Sequence, residues 1–426
     1  MTRTSARPAT AETAAAATAT ATAARQRRLF LWLFLVNAVL LSCYAAFIVI
    51  FVPNQVQDLD PAQKVGNLAI VTTAASIATI FVQPLVGAFS DRTRSRLGRR
   101  APWVLIGASG AAVFMLLLAG AATLLWVTIF YVLVMILLNT LNAPIPAIIT
   151  DRVPVRSRGV ASAVLAMGTL VGMGAGVIVA GFFAEQLGIG YGVFAALVLL
   201  SAFGFVLFNR DFSSKDADRT PFSWRDFFAG FWVSPRKHPD FAWAFAARFL
   251  MILAYQGVQS YLLYILRDHI HLSVDASNSF AGVLTIVQLL AALVSTYASG
   301  RLSDRLHRRK PFVIGASLIM GCALAIPLIW PTEAGMIALA ALFGFGYGVY
   351  LSVDLALMTQ VLPAEGVSSG RDLGILNVAT TLPQALTPLV AWALISVSGG
   401  YESIFVAGIA FAVLGAVAIL PIKGAR

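Results

Sequence analysis

Stretches of about 20 apolar residues alternate with short polar segments from residue 29 almost to the end of the chain. Each is long enough to cross a hydrocarbon core of roughly 30 Å. The pattern predicts twelve spans, near 29–52, 66–89, 102–121, 124–149, 160–184, 190–208, 241–265, 279–300, 311–330, 334–361, 374–397 and 401–420. One long internal polar stretch, 209–240, divides six spans from six. The expected architecture is therefore an all-α integral membrane protein of two parallel six-helix halves, residues 29–208 and 241–420. A disordered tail (1–28), the central loop and a short tail (421–426) complete the chain. In the central loop, PFSWRDFFAGFW mixes aromatics with Arg225 and Asp226. It reads equally as a helix lying in the membrane surface or as a plain linker.

The polar segments repeat. GAFSDRTRSRLGRRAP (87–102) follows span 2, and GRLSDRLHRRKP (300–311) follows span 8. Both place Gly four residues before Asp-Arg, then paired basic residues, then Pro at the head of the next span. Asp91 and Asp304 lie 213 residues apart, half of the 426-residue chain. Thr150 and Pro154 after span 4 are echoed by Thr359 and Pro363 after span 10. Parallel repeats of this kind put a substrate site near the midplane, between the halves.

Composition agrees, with 59% hydrophobic and 12% charged residues. The net charge of +11 would suggest nucleic acid in a soluble protein. Here 27 of the 30 Lys and Arg fall in segments on one side of a twelve-span layout, leaving Lys64 and Arg267 opposite and Arg248 inside a span. That bias predicts both termini in the cytoplasm of a plasma-membrane protein and no nucleic-acid partner. The Ala/Thr-rich leader lacks the apolar core of a cleavable signal peptide, while its basic, acid-poor make-up leaves an organellar transit peptide as the alternative. Cys43 and Cys322 sit in separate spans and form no disulfide framework. His269 and His271 are two loop histidines, read as solvated rather than as a metal pair. No metal, cofactor or enzymatic nucleophile is expected.

The Gly-x-x-x-Asp-Arg…Gly-Arg-Arg loop at 87–100 resembles the inner-loop signature of the major facilitator superfamily. Twelve spans, the central loop and the Asp-Arg-x-Pro-x-x-x-Arg-Gly segment at 151–159 agree with it. The longer form SDRTRSRLGRRAPW, and GRDLGILNVATTLPQ at 370–384, are similar to sucrose-proton symporters and to the glycoside-pentoside-hexuronide group. The resemblance implies proton-coupled uptake of a mono- or oligosaccharide by alternating access, in a monomer. A proton-coupled exporter of drugs or other small molecules is the alternative. Against it, span 5 (MGTLVGMGAGVIVAG) has the glycines but not the proline of the superfamily's antiporter element. A non-transporting membrane sensor is a third reading, and would expect an added soluble domain.

A charge at mid-bilayer depth costs roughly 2.5–3.5 kcal/mol on insertion scales. Only Arg248 in span 7 and Asp354 in span 10 lie well inside, at nearly matching depths. They are read as a pair. Protonation of Asp354 would break it during transport, or else it is a permanent structural ion pair. Substrate ligands are sought among polar and aromatic groups at helical spacing. These are Asn37 and Tyr44 on span 1, Asn139 and Asn142 on span 4, and Tyr255, Gln256 and Gln259 on span 7. Gln288 (span 8), Tyr347 and Tyr350 (span 10) and Asn377 and Gln384 (span 11) complete the set. Gln83 closes a span 2 face with Thr72, Ser76 and Thr79. Pro144 and Pro146 should bend span 4.

The gating set comprises Gly87, Asp91, Arg92, Gly98, Arg99, Arg100, Asp151, Arg152, Arg158, Asp304 and Arg305. Asp91 is expected to cap a helix or to pair with Arg152 or Arg158 in one conformation, acting as a latch. Gly87 is expected to allow close helix approach.

Overall fold

The computed structural model describes residues 9–209, 211, 236, 238–306, 309–361 and 369–422. Twelve helical segments are long and apolar enough to cross a membrane. They are α1 (Ala24–Leu59), α2 (Lys64–Arg92), α3 (Ala101–Ala119), α4 (Leu124–Arg152), α5 (Val155–Phe182), α6 (Leu187–Phe208), α7 (Pro239–His269), α8 (Val274–Ser303), α9 (Lys310–Ile329), α10 (Glu333–Asp354), α11 (Val378–Ser398) and α12 (Glu402–Ile419). Each matches one predicted span. A helix satisfies its own backbone hydrogen bonds, which hydrocarbon demands of any spanning segment.

One boundary is corrected. The leader expected to be a disordered tail is helical from Ala9. Its alanine-rich run has high helix propensity and no Gly or Pro after Pro8 to interrupt it.

Prolines account for three of the four breaks, the π turn of α7 having none beside it. α2 loses its regular turn at Ile80 and Phe81, just before Pro84, and α4 divides at Ala143, just before Pro144. Wide π turns occupy Phe47–Phe51 of α1, ahead of Pro53, and Ile265–His269 of α7. A ring that offers no N–H and crowds the carbonyl four residues back forces such local rearrangements.

Packing reproduces the internal repeat. Helix α1 packs on α5 and α6, α2 on α4, and α3 on α4 and α6. Adding six to every label gives the contacts of the second half: α7 on α11 and α12, α8 on α10, α9 on α10 and α12. Between halves, α2 meets α11 and α5 meets α8, and the repeat exchanges these two pairs. The α1–α5 and α8–α10 seams are close, because a Cβ at Gly172 or Gly176 would overlap the backbone of Ala38 or Ser42, and one at Gly344 or Gly348 that of Gln288 or Ala292. Only glycine allows that approach. Outward surfaces carry exposed apolar residues such as Leu116, Leu200, Val294 and Val397, suited to lipid, with Trp126, Trp243 and Trp330 also exposed. Within the central loop, PFSWRDFFAGFW lies outside the described residues, as do Pro363 and His307.

Candidate functional site

A cavity of about 370 Å³ lies between the halves. The first half contributes Tyr44 from α1, Thr72, Ser76, Thr79 and Gln83 from α2, and Tyr131 and Asn139 from α4. The second contributes Tyr255, Gln256, Gln259 and Ser260 from α7, Thr285 from α8, Tyr347 from α10, and Thr381 and Gln384 from α11. Among the described residues, no charged side chain lines it. The polar groups are amides and hydroxyls, interleaved with Leu41, Ile48, Val49, Met135, Met173 and Val177.

Two local arrangements shape the wall. Tyr255 stacks on Tyr347, with centroids 4.6 Å apart and planes within 8°, and on Phe343 at 5.8 Å and 17°. On the other side Gln83 Nε2 donates to Asn139 Oδ1 at 2.7 Å, and Asn139 Nδ2 donates to Met135 O at 2.8 Å. Gln83 thus keeps its carbonyl for a ligand, as do Gln256 and Gln384. Tyr44 lines the cavity, and its hydroxyl is buried with no partner among the described residues.

The charged pair sits apart from that wall. Arg248 Nη1 donates to Asp354 Oδ2 at 2.5 Å, and its Nη2 donates to Thr380 Oγ1 at 2.7 Å. Both charged side chains are largely buried, and neither lines the cavity. Tyr255 and Tyr347 are each seven residues along the same helix from the pair, about 10 Å at a 1.5 Å rise. The aromatic stack thus lies on the cavity wall, about two turns along both helices from the ion pair.

Other expected ligands lie elsewhere. Asn37 is buried and donates to Leu165 O at 2.8 Å and Thr169 Oγ1 at 2.9 Å, tying α1 to α5. Asn142 is absent from the cavity wall, one helical turn beyond Asn139 at the break before Pro144. Gln288 lines only a small side pocket behind Tyr255 and Phe343. Tyr350 is buried off the wall, on the Asp354 side of α10. The Asn377 side chain lies outside the described residues. Tyr131, Ser260, Thr285 and Thr380 were not singled out from sequence. Tyr131 had a usable signal, since it lies eight residues before Asn139 on the same helical face, whereas lone hydroxyls in apolar spans have none.

The arginine-rich face is organised differently from expectation. Asp91 does not reach Arg152 or Arg158. It pairs with Arg100 of its own loop at 2.6 Å, and Arg100, 6% exposed, also binds Asp151 at 3.0 Å and donates to Ser90 Oγ. Arg99 meets Asp151 at 3.1 Å. The acid comes from the end of α4 and the bases from the loop, because the short turn at 93–100 folds the arginines back under α2. Arg152 instead donates to Asn209 O at 2.8 Å and lies 3.9 Å from Asp211. Arg158 donates to Val153 O and Thr150 O, and Arg92 to Ala88 O. Gly98 has φ +89° with Asp211 against it, so only glycine fits. Gly87 meets no neighbour, since a Cβ there would touch nothing within 4 Å. Its expected close approach is absent in this conformation. Arg305 is exposed, and the Asp304 side chain lies outside the described residues.

At the opposite face the halves are joined. Lys64 meets Asp268 at 2.8 Å, Tyr401 donates to Asp268 Oδ2 at 2.7 Å, and Tyr264 donates to Pro53 O at 2.8 Å. Tyr261 reaches Val65 O at 3.4 Å, and Gly66 lies against the Trp392 indole.

Two six-helix halves around a central cavity define a membrane transporter, and the sequence model of the Major Facilitator Superfamily matches residues 32–370 and 275–425. The chain belongs to that superfamily. It is 26% identical to multidrug resistance protein MdtG of Klebsiella pneumoniae (strain 342) over 384 residues, covering 86% of this chain and 87% of that protein. It is 24% identical to the raffinose carrier protein of Pediococcus pentosaceus over 360 residues, 76% of this chain and 54% of the carrier. Among solved structures, the nucleoside transporter NupG superposes with a TM-score of 0.71 at 14% identity, covering 92% of this chain and 99% of NupG. An inward-facing bacterial homolog of the human lysosomal transporter Spinster gives 0.67 at 15% identity, covering 94% and 98%.

Proposed function

We propose that this transporter takes up a sugar, a mono- or oligosaccharide, in symport with protons, by alternating access in the plasma membrane. The observation that carries the reading is the cavity wall, with its uncharged amides and hydroxyls around the Tyr255–Tyr347 stack. A sugar presents many hydroxyls that need both donors and acceptors, and an apolar ring face that suits an aromatic surface. An anionic substrate would call for a fixed positive charge on the wall. The kinship with the raffinose carrier points the same way.

In this reading Asp354 carries the proton and Arg248 holds it ionised between cycles, communicating with the cavity through the α7 and α10 stack. Both termini are cytoplasmic, following the distribution of Lys and Arg. The conformation described is then closed outside, and the protein works as a monomer.

The test is uptake of a labelled sugar panel into proteoliposomes, with and without an imposed pH gradient. Accumulation of one sugar only with the gradient supports the reading. Gradient-driven movement of apolar drugs and of no sugar would replace it with the second reading, a multidrug exporter. That second reading draws on the relatedness to MdtG and on Met135 and Met173, adaptable side chains in the cavity wall.

A further inference from the structure

Arg267 is a buried cation whose direct partners are all neutral, with Asp58, Asp268 and Asp275 near enough to act on it but not to pair with it. It is 8% exposed, and among the described residues no carboxylate lies within ion-pair distance. Four neutral oxygens hold it instead. Its Nε donates to Ser277 Oγ at 2.9 Å and its Nη1 to Gln57 Oε1 at 3.0 Å. Its Nη2 donates to Asn54 Oδ1 at 2.6 Å and to Asn278 Oδ1 at 3.2 Å. Asn54 and Gln57 belong to α1, in the first half; Ser277 and Asn278 belong to the second. Asn54 Nδ2 also donates across to Asn278 Oδ1 at 3.0 Å.

The two elements that meet here share an unusual backbone feature. Arg267 sits within the π turn of α7, and Asn54 follows the π turn of α1, the equivalent helix of the first half. Such wide turns occur often at functional positions.

Two of the contacts that join the halves at this face involve a charged group, and their physics differs. Lys64 and Asp268 are partly exposed, 17% and 34%, so solvent screens the bridge and it contributes little. Arg267 has given up water, and two of the four acceptors that compensate that loss, Asn54 Oδ1 and Gln57 Oε1, are supplied by the other half. Separating the halves removes Asn54 and Gln57 and readmits water. A docking error of one helical position would leave the guanidinium with only the acceptors of its own half, Ser277 and Asn278.

We infer that Arg267 is a positioning residue of the transport cycle, a latch that registers the halves when the face opposite the arginine-rich loop is closed. The amide oxygens of Asn54 and Gln57 are its receptor. The assignment rests on alternating access but not on the substrate carried.

The test uses full-length protein in lipid nanodiscs, with Cys43→Ala and Cys322→Ala and spin labels at Ala62→Cys and Ala276→Cys, exposed positions on the two halves at this face. Pulsed electron resonance reads the label distances. Gln57→Ala should move the closed-to-separated ratio about tenfold toward separation, since a hydrogen bond to a charged group is lost while the charge stays buried. Adding Arg267→Met should return most of that shift, because no charge is left uncompensated. An unchanged distribution in Gln57→Ala, or a double variant as separated as the single one, overturns the latch. Where Gln57→Ala lowers the yield of folded protein, Asn54→Ser carries the same comparison. Absence of sugar uptake by the protein with Gln57 and Arg267 in place, with these distance shifts intact, would overturn only the proposed substrate.

Discussion

Arg248 and Asp354, 106 residues apart on α7 and α10, share a hydrogen-bonded ion pair at 2.5 Å that stands about two helical turns from the central cavity. The pair lies beside the cavity rather than on it, so in the proposed reading substrate does not touch the proton carrier. In the proposed reading coupling runs along two helices whose Tyr255 and Tyr347 line the cavity and stack on each other.

Asp354→Asn should abolish gradient-driven accumulation and leave counterflow exchange intact, measured with the same labelled sugar in proteoliposomes. Equal loss of both activities would instead mark the pair as structural.

Arg248→Ala leaves a buried carboxylate without its partner and should lower stability by about 3–5 kcal/mol. The double variant with Asp354→Asn should recover much of that loss. Thermal unfolding in detergent of the two single variants and the double variant provides the comparison.

Tyr347→Ala removes one ring of the stack that faces the cavity. Sugar affinity should fall about tenfold, ~1.4 kcal/mol, while Tyr347→Phe keeps the ring and should stay near wild type. Titration calorimetry of the purified protein distinguishes them, and equal weakening by both variants would assign the role to the hydroxyl.

On the arginine-rich face, Asp151→Asn should destabilise more than Asp91→Asn. The Asp151 side chain is 22% exposed and serves both Arg99 and Arg100, whereas that of Asp91 is 53% exposed and serves Arg100 alone. Melting temperatures at low and high salt test this, with the smaller Asp91 effect also the more readily screened.

The glycines offer a stability contrast. Gly176→Val should prevent folding, because even a Cβ there overlaps the Ser42 backbone, and Gly87→Ala should leave the melting temperature unchanged. Yield of monodisperse protein and melting curves read both.

Much of this molecule was legible in the order of its residues. Span length is set by bilayer thickness, and charge distribution by the cost of moving arginine across it. Twelve helices followed from those terms, and the bend of α4 followed from Pro144, whereas the breaks in α1, α2 and α7 were not anticipated. The Arg248–Asp354 pairing was legible too, because two charges at matching depth have few other partners in hydrocarbon.

Which side of each helix faces the cavity was decided only by the tertiary structure. In a bundle whose helices are apolar nearly all round, polar residues serve helix contacts and ligand surfaces alike, and their spacing is the same. Asn37 therefore looked like Asn139, yet one ties α1 to α5 and the other lines the cavity. The exchange of partners around Arg100, and the neutral cage that α1 and α7 build for Arg267, depend on contacts between residues far apart in the chain. Sequence determined what could enter the membrane; only packing decided which polar groups were left to meet a substrate.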